Sequence, residues 1–257
     1  MFFAKPNEYP PCGMFTTQHF ILIILTVTAI FIALKKTVHK NKDEIKKIIK
    51  HLTTIIWILE FVKISFNLFI EKTTNVNDFL PLYYCSLLLY AGLMASFGKG
   101  KIERIGDVFL ATGGIIGGIV FIIMPTTSLP AYPMLHFLSL HSFFYHGVMV
   151  YIGLLINCSN YINLELKDII YFAELVGGIC IISLVINNIF DSNLMFISKD
   201  FPGTPLTILY HLSGKFFTPI MIIAQMTLPF LVVYFVENKK KNISNIKVLR
   251  KRLSPFS

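Results

Sequence analysis

Seven stretches of this chain are apolar enough and long enough to cross a bilayer, and its basic residues gather in the connections that would share one side. The spans read as Phe15–Leu34, His51–Ile70, Phe79–Phe97, Ile105–Met124, Leu135–Cys158, Asp168–Phe190 and Thr207–Phe235. Each approaches or exceeds the ~20 residues that a helix needs to cross the hydrocarbon layer. A chain of 257 residues with 54% hydrophobic and only 14% charged residues fits a lipid-facing protein, in which outward as well as core positions must be apolar. The expected architecture is therefore an all-α polytopic membrane protein, with one domain over residues 1–257.

Charge sets the expected orientation. Of 23 Lys and Arg, eighteen fall in Lys35–Lys50, Lys99–Arg104, Ser159–Lys167 and Glu237–Ser257, all on one face of a seven-span topology. The other face carries Lys5, Lys72 and Lys199, while Lys63 and Lys215 lie inside spans. The positive-inside rule then puts the N-terminus outside and the C-terminus in the cytoplasm. Met1–Gly13 has three prolines and no basic leader, so the first apolar run is expected to remain as a span rather than be cleaved. The net charge of +9 does not indicate nucleic acid, because the basic C-terminal segment reads as a juxtamembrane anchor facing anionic lipid.

Several local features refine the expected helices. Asp78 is placed to cap the third and Pro81 to sit in its first turn. Lys46–His51 suggests an amphipathic turn at the start of the second. Gly113, Gly114, Gly117 and Gly118 form two overlapping G-x-x-x-G pairs suited to close helix packing. Pro219 and Pro229 are expected to kink the seventh span.

Polar residues within spans ask for a partner, a cavity or a function. Glu60 and Lys63 are spaced to share a helix face and to pair with each other, or to lend charge to a cavity. His211 and Lys215, four apart, share a face of the seventh span. His136, His141 and His146 recur every five residues, which turns them away from the i, i+4 geometry of a helical zinc pair, so neither a metal nor a cofactor is expected. Cys158 and Cys180 read as small apolar packing residues. Cys85 and Tyr83 in the third span, the histidines of the fifth, Asn187 and Asn188 ending the sixth, and Lys215 together suggest a polar layer in the outer half of the bundle. That residue set suits cysteine acyl transfer, with a thiolate nucleophile, a histidine base and Asn or Lys stabilising an oxyanion.

The segment Leu80-Pro81-Leu82-Tyr83-Tyr84-Cys85 resembles the leucine-proline-leucine-histidine-leucine-cysteine segment of the YwaF family of bacterial integral membrane proteins. Further likeness lies in Phe143-Phe144-Tyr145-His146-Gly147, in Asn187 to Asn193, in Gly203-Thr204-Pro205-Leu206 with Tyr210, and in His19. Tyr83 stands where that family usually has histidine, and its glycine-proline-tryptophan-proline segment is degraded to Gly203-Thr204-Pro205-Leu206. The YwaF family is in turn remotely similar to the eukaryotic transmembrane protein 164 family, for which a phospholipid acyltransferase activity using a cysteine and a histidine has been proposed. The resemblance implies a multi-pass protein of a bacterial plasma membrane, with Cys85 as acyl-accepting nucleophile and His146 as its base. Around them Tyr83, His141, Asn188, His211 and Lys215 are the candidate substrate-binding residues, with a membrane phospholipid as substrate. The alternatives are a carrier for a small polar or anionic solute, suggested by Glu60, Lys63, His146 and Lys215, or a non-catalytic module that binds lipid or a partner protein.

Overall fold

The computed structural model describes residues 1–253, with side chains through Lys240, and every regular element among them is helical. Of the basic segment 237–257, the side chains from 241 onward lie outside the described residues. Six helical rods are long and apolar enough to cross a membrane, and a seventh apolar helix, Leu87–Phe97, is shorter. The chain is a multi-pass membrane protein.

The first helix, α1 (Thr17–Thr37), starts where the Thr16 side chain accepts the His19 N–H. It lies against α7 (Phe137–Cys158) and presents Ile24 and Phe31 outward. The second, α2 (Lys42–Ser65), opens on a reciprocal capping box between Asn41 and Glu44. It begins more than two turns before the expected His51. Lys46–His51 is thus not a separate interfacial turn: Ile45 and Ile49 are buried, and Lys46 reaches Glu103 at 2.5 Å. At its far end α2 widens into a π-helical turn, Phe66–Glu71, closed by Lys72 in the left-handed conformation.

The third expected span is the one that departs most. A single helical turn, α3 (Val76–Phe79), is capped by Asn75 and contains Asp78, so Asp78 caps nothing. Asp78 instead accepts from the Thr73 hydroxyl at 2.6 Å. Pro81 forces Leu80 into an extended conformation (ψ 119°), and turns carry the chain to α4, which covers only Leu87–Phe97. At ~1.5 Å per residue α4 covers roughly half the hydrocarbon thickness. The irregular stretch Leu80–Ser86 is half-buried, with Leu82 and Ser86 buried, and non-helical backbone in a membrane protein is tolerated where it packs against protein.

The fourth rod is two helices, α5 (Lys101–Ala111) and α6 (Gly113–Ile123), broken at Thr112 (φ −126°, ψ −78°). The break frees the Ala111 carbonyl, and Asn157 of α7 donates to it at 2.7 Å. Thus the rod can bend in the bilayer without an orphaned backbone acceptor. After α8 (Ile169–Phe190), the last expected span divides into α9 (Leu206–Ser213) and α10 (Phe217–Leu253). The division falls at Gly214, whose φ of +51° favours glycine, and not at Pro219, which sits in the first turn of α10 where its missing N–H costs little.

Contacts between helix ends show which termini share a side. His19 meets the Ile122 carbonyl, and the Tyr132 hydroxyl meets Glu71, at the end that also holds the N-terminal segment. The opposite end holds the ion pairs Lys46–Glu103, Lys101–Glu174 and Arg104–Asp168. The core between them is apolar and aromatic: Phe109 stacks on Phe172 with centroids 5.7 Å apart, and Leu87, Leu89, Leu110 and Met149 are fully buried. We call the first end the histidine end and the second the basic end.

Candidate functional site

The four glycines of α6 divide their labour. On one face, a Cβ at Gly118 would meet the His146 carbonyl at 2.8 Å and Val150 at 2.6 Å, so Gly118 lets α6 and α7 approach backbone to backbone. On another face, a Cβ at Gly113 would strike the Tyr84 hydroxyl at 2.6 Å, and one at Gly117 would crowd the Tyr84 ring at 3.2 Å. This second pair thus makes room for an aromatic side chain beside Cys85, in addition to the helix packing expected from the spacing. With no side chain in the way, the Gly117 carbonyl receives the Cys85 thiol, Sγ to O 3.8 Å.

Helix α7 supplies the remaining parts. The Tyr145 hydroxyl donates to the Cys85 carbonyl at 3.1 Å, fixing the irregular stretch before α4 to α7. His146, the next residue, stacks face to face on Phe121 of α6, with centroids 3.6 Å apart. Phe121 lies one helical turn beyond Gly117, so Cys85 and His146 address consecutive turns of the same short helix. His146 Nδ1 lies 2.7 Å from the Ser142 carbonyl. A carbonyl only accepts, so Nδ1 carries the proton in the neutral ring and Nε2 keeps its lone pair.

That distinguishes His146 from two other buried histidines. His19 Nδ1 accepts the Phe15 N–H, and its Nε2 donates to the Ile122 carbonyl. His136 Nδ1 accepts the Leu138 N–H as the cap of α7, and its Nε2 donates to the Ala4 carbonyl. Both rings are fully used in holding the fold. His141 has spare capacity: its Nε2 is buried without a hydrogen bond and stands 3.9 Å from a carboxylate oxygen of Glu60. Glu60 itself is buried and pairs with Lys63 at 2.6 Å, which realises the pairing expected from their spacing.

Other expected members of the site stand elsewhere. Tyr83 precedes Tyr84 and Cys85, but its ring packs on Phe196 with centroids 5.0 Å apart. Asn187 is buried, with its amide spent on Leu194, Ser192 and Ser198, while the next residue, Asn188, is exposed. Asn193 likewise spends its amide on the 198–200 turn. His211 and Lys215 are exposed, and the break at Gly214 separates the two helical faces on which they were expected to align. The Lys215 ammonium lies over Phe216 at 5.3 Å. Among the described residues no three of His, Cys, Asp or Glu converge as a metal-ligand set.

The sequence reading missed the roles of Tyr84, Tyr145 and Phe121. Only the i, i+4 spacing of Gly113 and Gly117 hinted at a side chain lying across α6.

Comparison with known proteins gives a consistent placement. The model of the TMEM164 family matches residues 14–245, from the start of α1 into α10. Neither a curated protein nor a solved structure matches the chain.

Proposed function

The chain belongs to the TMEM164 family, and from that premise we propose that it is a thiol-dependent phospholipid acyltransferase, with Cys85 as nucleophile and His146 as general base. The observation that carries this reading is the tautomer of His146. Its Nδ1–H is held by Ser142 and its ring by Phe121, so Nε2 keeps its lone pair, and Phe121 lies one turn of α6 beyond Gly117, whose carbonyl holds the Cys85 thiol. At rest the thiol is parked on the Gly117 carbonyl.

In the reaction, the Cys85 proton passes to His146 Nε2, and the thiolate attacks the ester carbonyl carbon of the lipid. As the tetrahedral adduct collapses, the ester C–O bond breaks and the lysolipid oxygen takes the proton back from Nε2. A hydroxyl or amine acceptor then attacks the thioester, gives its proton through the same nitrogen, and restores the thiol. Tyr145 holds the Cys85 backbone while the side chain turns.

A carrier would need a polar route to the basic end. The bundle there is filled by Phe109, Leu110, Ile152, Leu155 and Ile156, which favours the enzyme reading. We further read the protein as spanning a bacterial plasma membrane seven times, with the short α4 and the Leu80–Ser86 stretch as the third crossing. In that topology the basic end is cytoplasmic and the Cys85 site lies in the outer half. The motifs around Cys85 and His146 support a place on the YwaF-like branch.

The test is incubation of the protein in liposomes with phospholipid bearing a labelled acyl chain. A hydroxylamine-sensitive label on Cys85 is expected, lost in Cys85→Ala and reduced at least a hundredfold in rate in His146→Ala, on the scale of general base catalysis. Absence of label on folded wild-type protein overturns the proposal.

A further inference from the structure

The basic end carries a cavity that the chemistry at Cys85 does not use. It has a volume of about 300 Å³, lies between the starts of α5 and α8, and is lined by Lys101, Lys167, Ile170, Tyr171 and Glu174. Lys101 is the first residue of α5, Lys167 belongs to the 3-10 turn Leu166–Asp168 that leads into α8, and Ile170 and Tyr171 stand in the first turn of α8. The cavity thus sits at helix ends, where the hydrocarbon layer gives way to headgroups. Ile170 is exposed, as are Leu166 and Ile102 beside the two lysines, so apolar and cationic surface meet at its rim.

The cations of this end differ in how firmly they are committed. Arg104 is forked onto the buried Asp168 and also reaches the Asn163 carbonyl. Lys101 and Lys167 each hold one carboxylate at 2.7 Å, Glu174 and Glu165 in turn, but their side chains are 60% and 72% exposed. An exposed ion pair contributes little, and an ammonium has three donors, so both lysines keep donors for a second anion. Of the two glutamates only Glu174 lines the cavity, and two lysines against one glutamate leave the lining a single positive charge. One phosphodiester neutralises that charge through charge-assisted hydrogen bonds, which are the strong kind. At about ten water volumes the cavity has room for a phosphate with a small polyol attached. The apolar rim and the position at the helix ends favour a phosphate carried on a lipid over a dissolved one, as in other basic pockets between membrane helices.

We infer that the cavity between α5 and α8 is a binding site for the headgroup of an anionic phospholipid, with Lys101 and Lys167 on the phosphate and Ile170 against the apolar part of the lipid. Glu174 is the internal counter-ion, which holds Lys101 in the absence of lipid and yields it to the phosphate. A choline headgroup offers the same phosphate but brings its own cation to a lining that already has positive charge in surplus. The site goes beyond the acyl-transfer reading and does not depend on it, because no residue that lines the cavity takes part in the chemistry at Cys85.

The experiment is native mass spectrometry of the full chain released from detergent, with phosphatidylglycerol or phosphatidylcholine of the same acyl chains added. The first phosphatidylglycerol is expected to bind about fivefold or more tightly than phosphatidylcholine. Lys101→Gln and Lys167→Gln should each weaken it about fivefold, and together about twentyfold. Lys42→Gln with Lys47→Gln removes two exposed lysines of α2 at the same end and should change it far less. Glu174→Gln removes the competing carboxylate and should tighten binding several-fold, a gain that impaired folding does not produce. Inorganic phosphate at matched ionic strength should leave the lipid in place. Equal affinity for the two lipids, a loss in the Lys42 and Lys47 double variant as large as in the Lys101 and Lys167 one, or no gain in Glu174→Gln overturns the inference. Displacement by inorganic phosphate assigns the cavity to the free ion and overturns the lipid as its ligand.

Discussion

Tyr145 donates its hydroxyl to the backbone carbonyl of Cys85 across 3.1 Å, joining the centre of α7 to the non-helical stretch that carries the candidate nucleophile. The bond does what a helix would otherwise do for that segment, because Leu80–Ser86 has few repeating backbone bonds of its own. Tyr145→Phe keeps the ring and removes the bond, and since the Cys85 carbonyl still accepts the Leu88 N–H at 3.1 Å the cost is that of one hydrogen bond, about 0.5–1.5 kcal/mol. The expected result is a lower thermal midpoint together with slower acyl labelling of Cys85. Unchanged labelling would show that the Tyr145 bond does not position the thiol.

The glycines of α6 offer a contrast within one helix. At Gly118 a methyl group meets the His146 carbonyl and the Val150 side chain at under 3 Å, and the carbonyl cannot yield without moving a helix. Gly118→Ala is expected to destabilise by about 1–3 kcal/mol, as overpacking does in a tight core. At Gly114 the nearest atoms are the carbonyls of Phe109 and Met149, at 3.6 and 3.7 Å, so alanine fits in ordinary contact. Gly114→Ala should be neutral or stabilise by a few tenths to about 1 kcal/mol through the unfolded chain. Thermal unfolding of the two variants in the same detergent checks the ordering, and the reverse order would refute it.

The apolar runs revealed the long helices because bilayer crossing leaves a signal in every residue of a span. The failures occur where that signal is not local. Phe79–Phe97 is uniformly apolar, yet Pro81 and the space over Gly113 and Gly117 allow an irregular stretch that hydropathy does not distinguish from helix. Cys85 and His146 were legible as candidates, since their chemistry is stated by residue type. Tyr145 and Phe121 were not, because an aromatic residue in a span reads as lipid contact until its neighbours are known. His211 and Lys215 were misplaced by a single glycine, as four-residue spacing implies a common face only if the helix is unbroken.

At the basic end, Arg104 forks onto Asp168, with Nε donating to one carboxylate oxygen at 3.1 Å and Nη2 to the other, and Nη2 also reaches the Asn163 carbonyl at 2.7 Å. Asp168 is almost wholly buried and accepts the Glu165 N–H at the entry to α8. Removing the guanidinium strands a buried carboxylate, so Arg104→Leu is expected to cost about 3–5 kcal/mol. Lysine restores the charge but cannot reproduce the fork, so Arg104→Lys should recover only part of the loss. Thermal unfolding would measure both, and equal stability of Arg104→Lys and wild type would deny the fork any role beyond charge.

At the other end the N-terminal segment is fastened by His136, a group whose protonation the fold opposes. The ring is fully buried, stacks on Tyr132 with centroids 4.3 Å apart, and donates from Nε2 to the Ala4 carbonyl while Nδ1 caps α7. Burial pushes its pKa below the usual imidazole value, the Ala4 bond works against that shift, and the charged N-terminus adds to it. A folded pKa below the unfolded one means that the neutral ring stabilises the fold above about pH 6.5, and that this contribution is lost as pH falls through the depressed value. Protonation at Nδ1 turns the acceptor of the Leu138 N–H into a donor, so the cap and the fastening fail together. Amide protection over residues 2–13, taken as the intrinsic exchange rate at each pH divided by the observed rate, is therefore expected to be high at about pH 7.5 and to fall as pH drops below the usual imidazole value. His136→Asn, which can still cap α7 but does not titrate, should abolish the pH dependence while raising exchange modestly at every pH. If the variant keeps the wild-type pH profile, some group other than His136 releases the segment.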